Sequence, residues 1–320
     1  MPTSVKLTQF ARDTLEGLTA PQKFLLPKYF YDDRGSQIFE KIMRMPEYYL
    51  TACEYEIFSE QADQICNAIL PDNHSFELIE LGPGDGLKSR LLLARLQEDN
   101  IDLNYLPVDI SGHALSALKE KLKIEFPGLN INEYVGDYFQ VLKSNDFFNG
   151  NPKTIFFLGS NIGNFYRKER EYFLKSLSEI TRSGDKLLIG FDLKKSPDVL
   201  LKAYDDEHGF TRDFNLNHLI RINSELDANF QPENFEHHVS YDPLSGAMNS
   251  YLVSKKEHKV FIGNLEKEIH FSKWEPVFME LSQKFDHRDI ENMAENFGFG
   301  VLEYFTDRKG YFTDSLWIRK

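Results

Sequence analysis

Cysteine is almost absent: only Cys53 and Cys66 carry a thiol in 320 residues. Neither stands in a paired metal or redox motif, so a disulfide scaffold is excluded and a reduced, cytoplasmic protein is expected. Long apolar runs are missing too, and no segment reaches the length that spans a bilayer. Met1 to Gln22 is polar and mixed in charge, without the apolar core of a signal peptide. Basic residues are outnumbered, 37 Lys and Arg against 50 Asp and Glu, which leaves a net charge of −13. Such a chain is a poor match for phosphate backbones, so no nucleic-acid partner is expected. Lys194–Lys195 and Lys255–Lys256 come nearest to a basic patch and read as solvated turns. The nine histidines are scattered without zinc-ligand spacing, so no metal is expected. There is no internal repeat and no low-complexity tract, while 41% hydrophobic residues suffice for a packed core.

One stretch organises the rest: Phe76-Glu77-Leu78-Ile79-Glu80-Leu81-Gly82-Pro83-Gly84-Asp85-Gly86. It reads as a buried strand running into a glycine turn, followed by a helix with Leu91, Leu92, Leu93 and Leu96 on its apolar side. Strand, glycine turn and helix open a nucleotide-binding doubly wound sheet. The spacing is Gly-x-Gly-x-Gly, not the dinucleotide fingerprint, which favours a ligand without a pyrophosphate such as S-adenosylmethionine. An ordinary tight turn has the same signature.

Upstream, a peripheral helix is expected to about Gln22. The polar turn Tyr31–Ser36 follows, then helical spacing at Ile38, Phe39, Ile42 and Met43, then Pro46–Leu50 and one helix from Thr51 to Leu70. The tyrosines of this region either cap a ligand or pack on the sheet with outward hydroxyls. Downstream, strands are expected at 103–110, 131–135, 154–158 and 186–192, with helices between them. Asp109 ends the second strand, where an acid accepts hydrogen bonds from ribose hydroxyls; a helix-capping role for Asp109 or Ser111 competes. Asp137 and Tyr138 end the third, suited to an adenine amine and ring or to a turn. Gly159-Ser160-Asn161-Ile162-Gly163-Asn164-Phe165 follows the fourth. Asn164 there has the donor and acceptor to hold a carboxylate or an amine, or to cap a turn.

After Asp192 the alternation breaks. Helices over 197–206 and 214–226 and strands within 239–254 and 259–285 read as an inserted subdomain. A helix at 290–297 and a final hairpin, 300–306 and 312–319 around Asp307–Gly310, close the chain. A parallel sheet ending in an antiparallel hairpin is the layout of class I S-adenosylmethionine-dependent methyltransferases, a Rossmann-like α/β fold. The domains expected are 61–193 with 286–320, binding the donor, and 1–60 with 194–285, an α+β substrate-binding domain.

Five motifs, in order, carry a family resemblance: Tyr31–Ser36, Pro46-Glu47-Tyr48-Tyr49, Glu80-Leu81-Gly82-Pro83-Gly84, Phe157–Phe165 and Ala203-Tyr204-Asp205-Asp206. Together they resemble the histidine Nα-methyltransferases of ergothioneine biosynthesis, over almost the whole chain. The resemblance implies S-adenosylmethionine as methyl donor and L-histidine as substrate, trimethylated to hercynine by a monomer acting on a small molecule. It implies that Gly82, Gly84 and Lys88 line the donor's methionine end, that Asp109 takes the ribose, and that Asp137 and Tyr138 take the adenine. Tyr48, Asn164 and Tyr204 would hold the amino acid's amine and carboxylate, with a backbone contact from Gly159. Tyr31, Glu280 and Ser282 would read the imidazole, and Tyr31 and Asn164 would serve the transfer itself. The family carries phenylalanine where Tyr138 stands and methionine where Ser250 stands, and the stretch 271–279 is longer here. A smaller residue at 250 enlarges the side-chain pocket, which keeps a tryptophan-type substrate as an alternative. A non-catalytic relative that only binds the donor is the other.

Overall fold

The computed structural model describes residues 7–71, 75–99, 101–143 and 151–320. In chain order the first elements are α1 (Gln9–Thr19), α2 (Asp33–Met43), α3 (Tyr49–Glu60) and α4 (Ala62–Ile69). The alternating part runs β1 (Ser75–Leu81), α5 (Ser89–Glu98), β2 (Asp102–Asp109), α6 (Gly112–Glu125), β3 (Asn130–Ile131), β4 (Tyr134–Val135), α7 (Tyr138–Val141), β5 (Lys153–Phe157), α8 (Arg167–Ile180) and β6 (Lys186–Asp192). Then come α9 (Pro197–Tyr204), α10 (Phe210–Leu226) and the strands β7 (Phe235–Asp242), β8 (Ala247–Ser254), β9 (His258–Ile262), β10 (Lys267–Phe271) and β11 (Pro276–Gln283). The chain closes with α11 (His287–Asn296), β12 (Phe299–Thr306) and β13 (Phe312–Arg319).

Two compact units result. Residues up to Tyr49 join Lys195–Ser282 in the first, and Leu50–Lys194 join Gln283–Lys320 in the second. The divisions fall at 49, 194 and 282, where the sequence reading placed them at 60, 193 and 285. The largest shift is α3, whose residues from Leu50 onward belong to the second unit because Cys53, Ile57 and Phe58 are buried along one helical stripe.

The second unit is a sheet in the order β12-β13-β6-β5-β1-β2-β3, with β4 also paired to β2. β1, β2, β5 and β6 are mutually parallel, and β13 runs antiparallel between β6 and β12. This is the expected class I layout. The central strands are near-continuous apolar runs because both faces of a parallel sheet are covered. Ile79, Leu81, Val108, Ile155, Phe157, Leu187, Ile189 and Trp317 share one buried cluster. The expected third strand is two short pieces: Asn130–Ile131 and Tyr134–Val135 each pair with β2, and between them the Asn132 amide still donates to the Tyr105 carbonyl at 2.9 Å.

The first unit holds a three-stranded sheet, β11-β8-β7, a β9-β10 ladder, and α1, α2, α9 and α10. Phe10, Leu18 and Ile42 pack with Phe214, Ile222, Leu252, Phe271 and Met279. Helix α1 is thus a core element rather than peripheral; residues 1–6 of its expected range lie outside those described. The expected turn Tyr31–Ser36 is a helix start instead. Asp32 caps α2 by accepting from the Gly35 amide at 2.6 Å. A Cβ at Gly35 would lie 1.8 Å from the Phe30 carbonyl oxygen, so no other residue fits there. The helix expected over 51–70 is two, divided at Gln61. Lys194 and Lys195 are not solvated turns: Lys194 pairs with Asp286 and Asp289 at 2.9 Å, and Lys195 donates to the Tyr49 hydroxyl at 2.9 Å. No helix among the described residues is long and apolar enough to cross a membrane.

Candidate active site

In the second unit, the glycine turn after β1 lies beside the loop after β5. Gly82 has φ of 71°, and a Cβ there would stand 2.7 Å from the Tyr138 hydroxyl and 4.0 Å from Asn161 Nδ2. Gly159 has φ of 74°, and a Cβ there would stand 3.6 Å from Lys88 Nζ and 3.5 Å from Asn161 Nδ2. Glycine at these positions removes the steric penalty of positive φ and leaves backbone exposed to a ligand. The structure therefore brings Gly82, Lys88, Tyr138 and Gly159 together. It adds Asn161, whose amide is fixed by donating to the Leu158 carbonyl at 2.9 Å. Gly84 also has positive φ, 58°, but faces open space.

Asp109 ends β2 half-buried, its Oδ1 accepting from the Ser111 amide at 2.9 Å. Of the two capping candidates, Ser111 is the one that caps α6, accepting from the Ala114 amide at 3.2 Å. Burial pushes the Asp109 carboxyl up, and the amides of Ser111 and Ile110 only partly offset this. Burial likewise raises the Tyr138 phenol, with the charges of Asp109 and Asp137 adding to it. Asp137 is exposed and caps α7, accepting from the Phe139 amide at 2.9 Å.

Asn164 is half-buried at the end of the 3-10 turn Asn161–Asn164. That loop is held by Ser160, a non-glycine residue at φ 55°, whose Oγ accepts from the Asp192 amide at 2.9 Å. A residue strained in this way persists where its surroundings over-determine it, a habit of binding loops.

The first unit gathers a second set. The Tyr204 hydroxyl and Ser282 Oγ are hydrogen-bonded at 2.7 Å. The Tyr48 and Tyr204 rings meet edge-on at 6.4 Å. Phe39 links Tyr48, at 6.2 Å, to Tyr31, at 5.4 Å, and Phe214 touches Tyr31 at 5.5 Å. Tyr31 is 49% exposed while Tyr204 is buried. Glu280 and Ser282 lie two apart on β11, hence on one face of the strand. Glu280 is half-buried, not a fully exposed surface carboxylate. Ser250 lies on the buried face of β8, alongside Met248 and Leu252.

Three residues here escaped the sequence reading. Glu54, from α3, forms an ion pair with Lys88, and its Oε1 accepts from the Gly159 amide at 2.7 Å. Its signal was legible: an acid on the apolar stripe formed by Leu50, Cys53, Ile57 and Phe58. Asp314 is a fully buried acid on the face of β13 that it shares with Phe312 and Leu316, a signal of the same kind. His237 Nε2 donates to the Tyr204 carbonyl at 3.0 Å, and strand periodicity gave no hint of that contact. Among the described residues no three His, Cys, Asp or Glu side chains converge as a metal site.

A family model described as histidine-specific methyltransferase, SAM-dependent, matches residues 10–319. The chain is similar to the histidine N-alpha-methyltransferase of Mycobacterium tuberculosis (strain CDC 1551 / Oshkosh), 34% identical over 305 residues, covering 95% of this chain and 93% of that protein. It is also similar to ergothioneine biosynthesis protein 1 of Schizosaccharomyces pombe, 28% identical over 281 residues, covering 85% of this chain and 36% of that one. Among solved structures, the PH0226 protein from Pyrococcus horikoshii OT3 matches at TM-score 0.50 and 13% identity, covering 91% of this chain and 100% of that chain. The last likeness concerns the fold alone.

Proposed function

The chain belongs to the histidine-specific, S-adenosylmethionine-dependent methyltransferases, and from that premise we propose that it trimethylates the α-nitrogen of free L-histidine to hercynine. The observation that carries the reading is the 2.7 Å contact between Tyr204 and Ser282. It joins a hydroxyl suited to the amino acid's carboxylate with one suited to a ring nitrogen, so one small zwitterion with a polar ring satisfies both.

The residues of the second unit suit the donor. The missing Cβ of Gly82 leaves a cradle beside the Tyr138 hydroxyl. Lys88 offers a cation to the methionine carboxylate, Asp109 an acceptor to the ribose hydroxyls, and Asp137 with Tyr138 an acid and a ring to the adenine. When bound, the donor supplies a methyl group made electrophilic by its sulfonium. The chain's part is to position, and position provides most of the rate in such transfers. Asn164 orients the amine lone pair. Tyr48 and Tyr204 hold the carboxylate, and Gly159 adds a backbone contact. Glu280 accepts from one imidazole nitrogen and Ser282 serves the other, with Tyr31 alongside. Beside the donor's cationic sulfonium the protonated α-amine is disfavoured, so no strong base is required to free its lone pair. Tyr31, half open to water, passes the released proton outward. Holding the substrate at carboxylate and ring leaves the nitrogen free to turn between three transfers. The reading has the enzyme act as a monomer in the cytoplasm, and the second point is in keeping with two buried cysteines outside any disulfide.

Mass spectrometry of a reaction with S-adenosylmethionine and the twenty amino acids tests this. Three methyl groups on histidine alone are expected. Methylation of tryptophan would assign the pocket at Ser250 to a larger ring. Arrest at one methyl group would overturn the two-anchor picture, and donor binding without turnover would assign a non-catalytic role.

A further inference from the structure

Behind Lys88 stands a buried carboxyl pair that the reaction itself does not use. Glu54 is 1% exposed and touches both Lys88 and the Gly159 amide, the latter at 2.7 Å. Room for it comes from β6: a Cβ at Gly190 would lie 2.8 Å from Glu54 Oε1 and 3.2 Å from the Gly159 nitrogen. Directly across the ladder from Gly190, on β13, is Asp314, wholly buried. No donor group reaches either Asp314 oxygen among the described residues, and the side chain lies within hydrogen-bonding reach of the Glu54 carboxyl. Two adjacent buried carboxyls against one ammonium cannot both ionise without leaving a charge uncompensated.

We propose that Glu54 is a positioning residue of the donor site, acting through Lys88 and the Gly159 amide, and that Asp314 carries the proton that leaves this pair with a single negative charge. The proposal rests on the donor-site reading above. Its logic is electrostatic. Lys88 has to meet the donor's carboxylate, yet a lysine with no fixed partner is a mobile point charge. Glu54 holds the ammonium at one end and the Gly159 amide at the other, so the α3 helix sets the distance between two donor contacts. A second ionised acid would draw Lys88 inward and neutralise it. The groups facing Asp314 are Glu54 and Lys88, with Glu80 beyond Lys88. Burial first, then the Glu54 charge, push the Asp314 carboxyl well up, and Lys88 only partly opposes them. Burial pulls the Lys88 ammonium down, but Glu54, with the charges of Asp314 and Glu80 adding, offsets it and the net shift is upward.

Calorimetry with S-adenosylhomocysteine on Glu54→Gln and Lys88→Met, each checked for folding by thermal unfolding, separates the possibilities. Both are expected to weaken binding by at least about tenfold, the scale of a hydrogen bond to a charged group, while the KM for histidine in Glu54→Gln moves less than its KM for the donor. If Lys88→Met weakens binding and folded Glu54→Gln does not, this proposal falls and the donor site stands. If Lys88→Met has no effect, the donor-site reading falls, and this proposal with it. Infrared spectroscopy of the wild-type protein needs no such variant to fold. A protonated-carboxyl band is expected at neutral pH, missing in Asp314→Asn and shifted when S-adenosylhomocysteine is added. Absence of the band, or a band indifferent to the ligand, overturns the proton on Asp314.

Discussion

Around the second unit's glycine turns stand Glu54, Lys88, Asp109 and Asp314, ionisable groups with limited access to water, whereas the first unit gathers Tyr31, Phe39, Tyr48, Tyr204 and Phe214. On the function proposed above, a donor that is itself charged is met by charges set in a sheet, and a small amino acid by rings and hydroxyls. The two media respond differently to change. A buried charge is compensated or it is not, so losses there are steep. Aromatic packing and neutral hydrogen bonds are worth less apiece, and losses there are graded.

The steepest expected loss is in the second unit. Asp192 and Lys284 form an ion pair at 2.7 Å with both side chains 0% exposed. Lys284→Met removes the ammonium that balances this buried carboxylate, and urea unfolding should show a loss of about 3–5 kcal/mol. A loss under 1 kcal/mol would break the contrast between the units. Next, Asp109→Ala should weaken S-adenosylhomocysteine binding by roughly 10–100-fold by calorimetry, without a comparable rise in the KM for histidine.

The first unit has an exception among its described residues, and it sharpens the comparison. His218 on α10 is fully buried among Phe10, Tyr29 and Phe30, and neither ring nitrogen finds a partner among the described residues. Burial, with Arg221 adding, pushes its pKa down to about 3 from 6.5. The folded ring stays neutral while the unfolded chain takes up a proton, so the stability is whole above pH 6.5 and is lost as pH falls toward 3. By pH 5 the loss should be about 2 kcal/mol, measured by urea unfolding at pH 7 and 5. His218→Leu should flatten that dependence. The smallest effect is expected from Tyr204→Phe, which removes the hydroxyl that bonds Ser282 and that the proposal gives to the substrate carboxylate. It should raise the KM for histidine roughly tenfold, the low end for a hydrogen bond to a charged group, and leave donor affinity unchanged.

Much of this was legible in the sequence because its signals are local. The strand into Gly82, the acid ending β2, and the loop from Gly159 to Asn164 follow from period and punctuation. So does the change from alternating elements to an insertion after Asp192. What sequence missed depends on tertiary contact. The break at Gln61 lies inside an otherwise helical pattern. The third strand's pattern looked continuous, although its two ends pair with β2 at separate places. Glu54 was visible as a misfit on an apolar stripe, but nothing local said that its partners would be Lys88 and Gly159.

The point where the chain leaves the sheet unit and returns has a further consequence. The Phe285 amide donates to the Asp192 carbonyl at 2.9 Å, the Lys194 amide donates to the Phe285 carbonyl at 2.8 Å, and Lys194 clasps Asp286 and Asp289. To the sheet, everything from Lys195 to Ser282 is therefore a loop with its neck already tied. The entropic cost of closing such a loop grows only with the logarithm of its length. Insertions and deletions within the excursion can accumulate without moving the register of β6 or the start of α11. On the function proposed above, lineages can thus remodel the substrate side while the donor side is inherited unaltered.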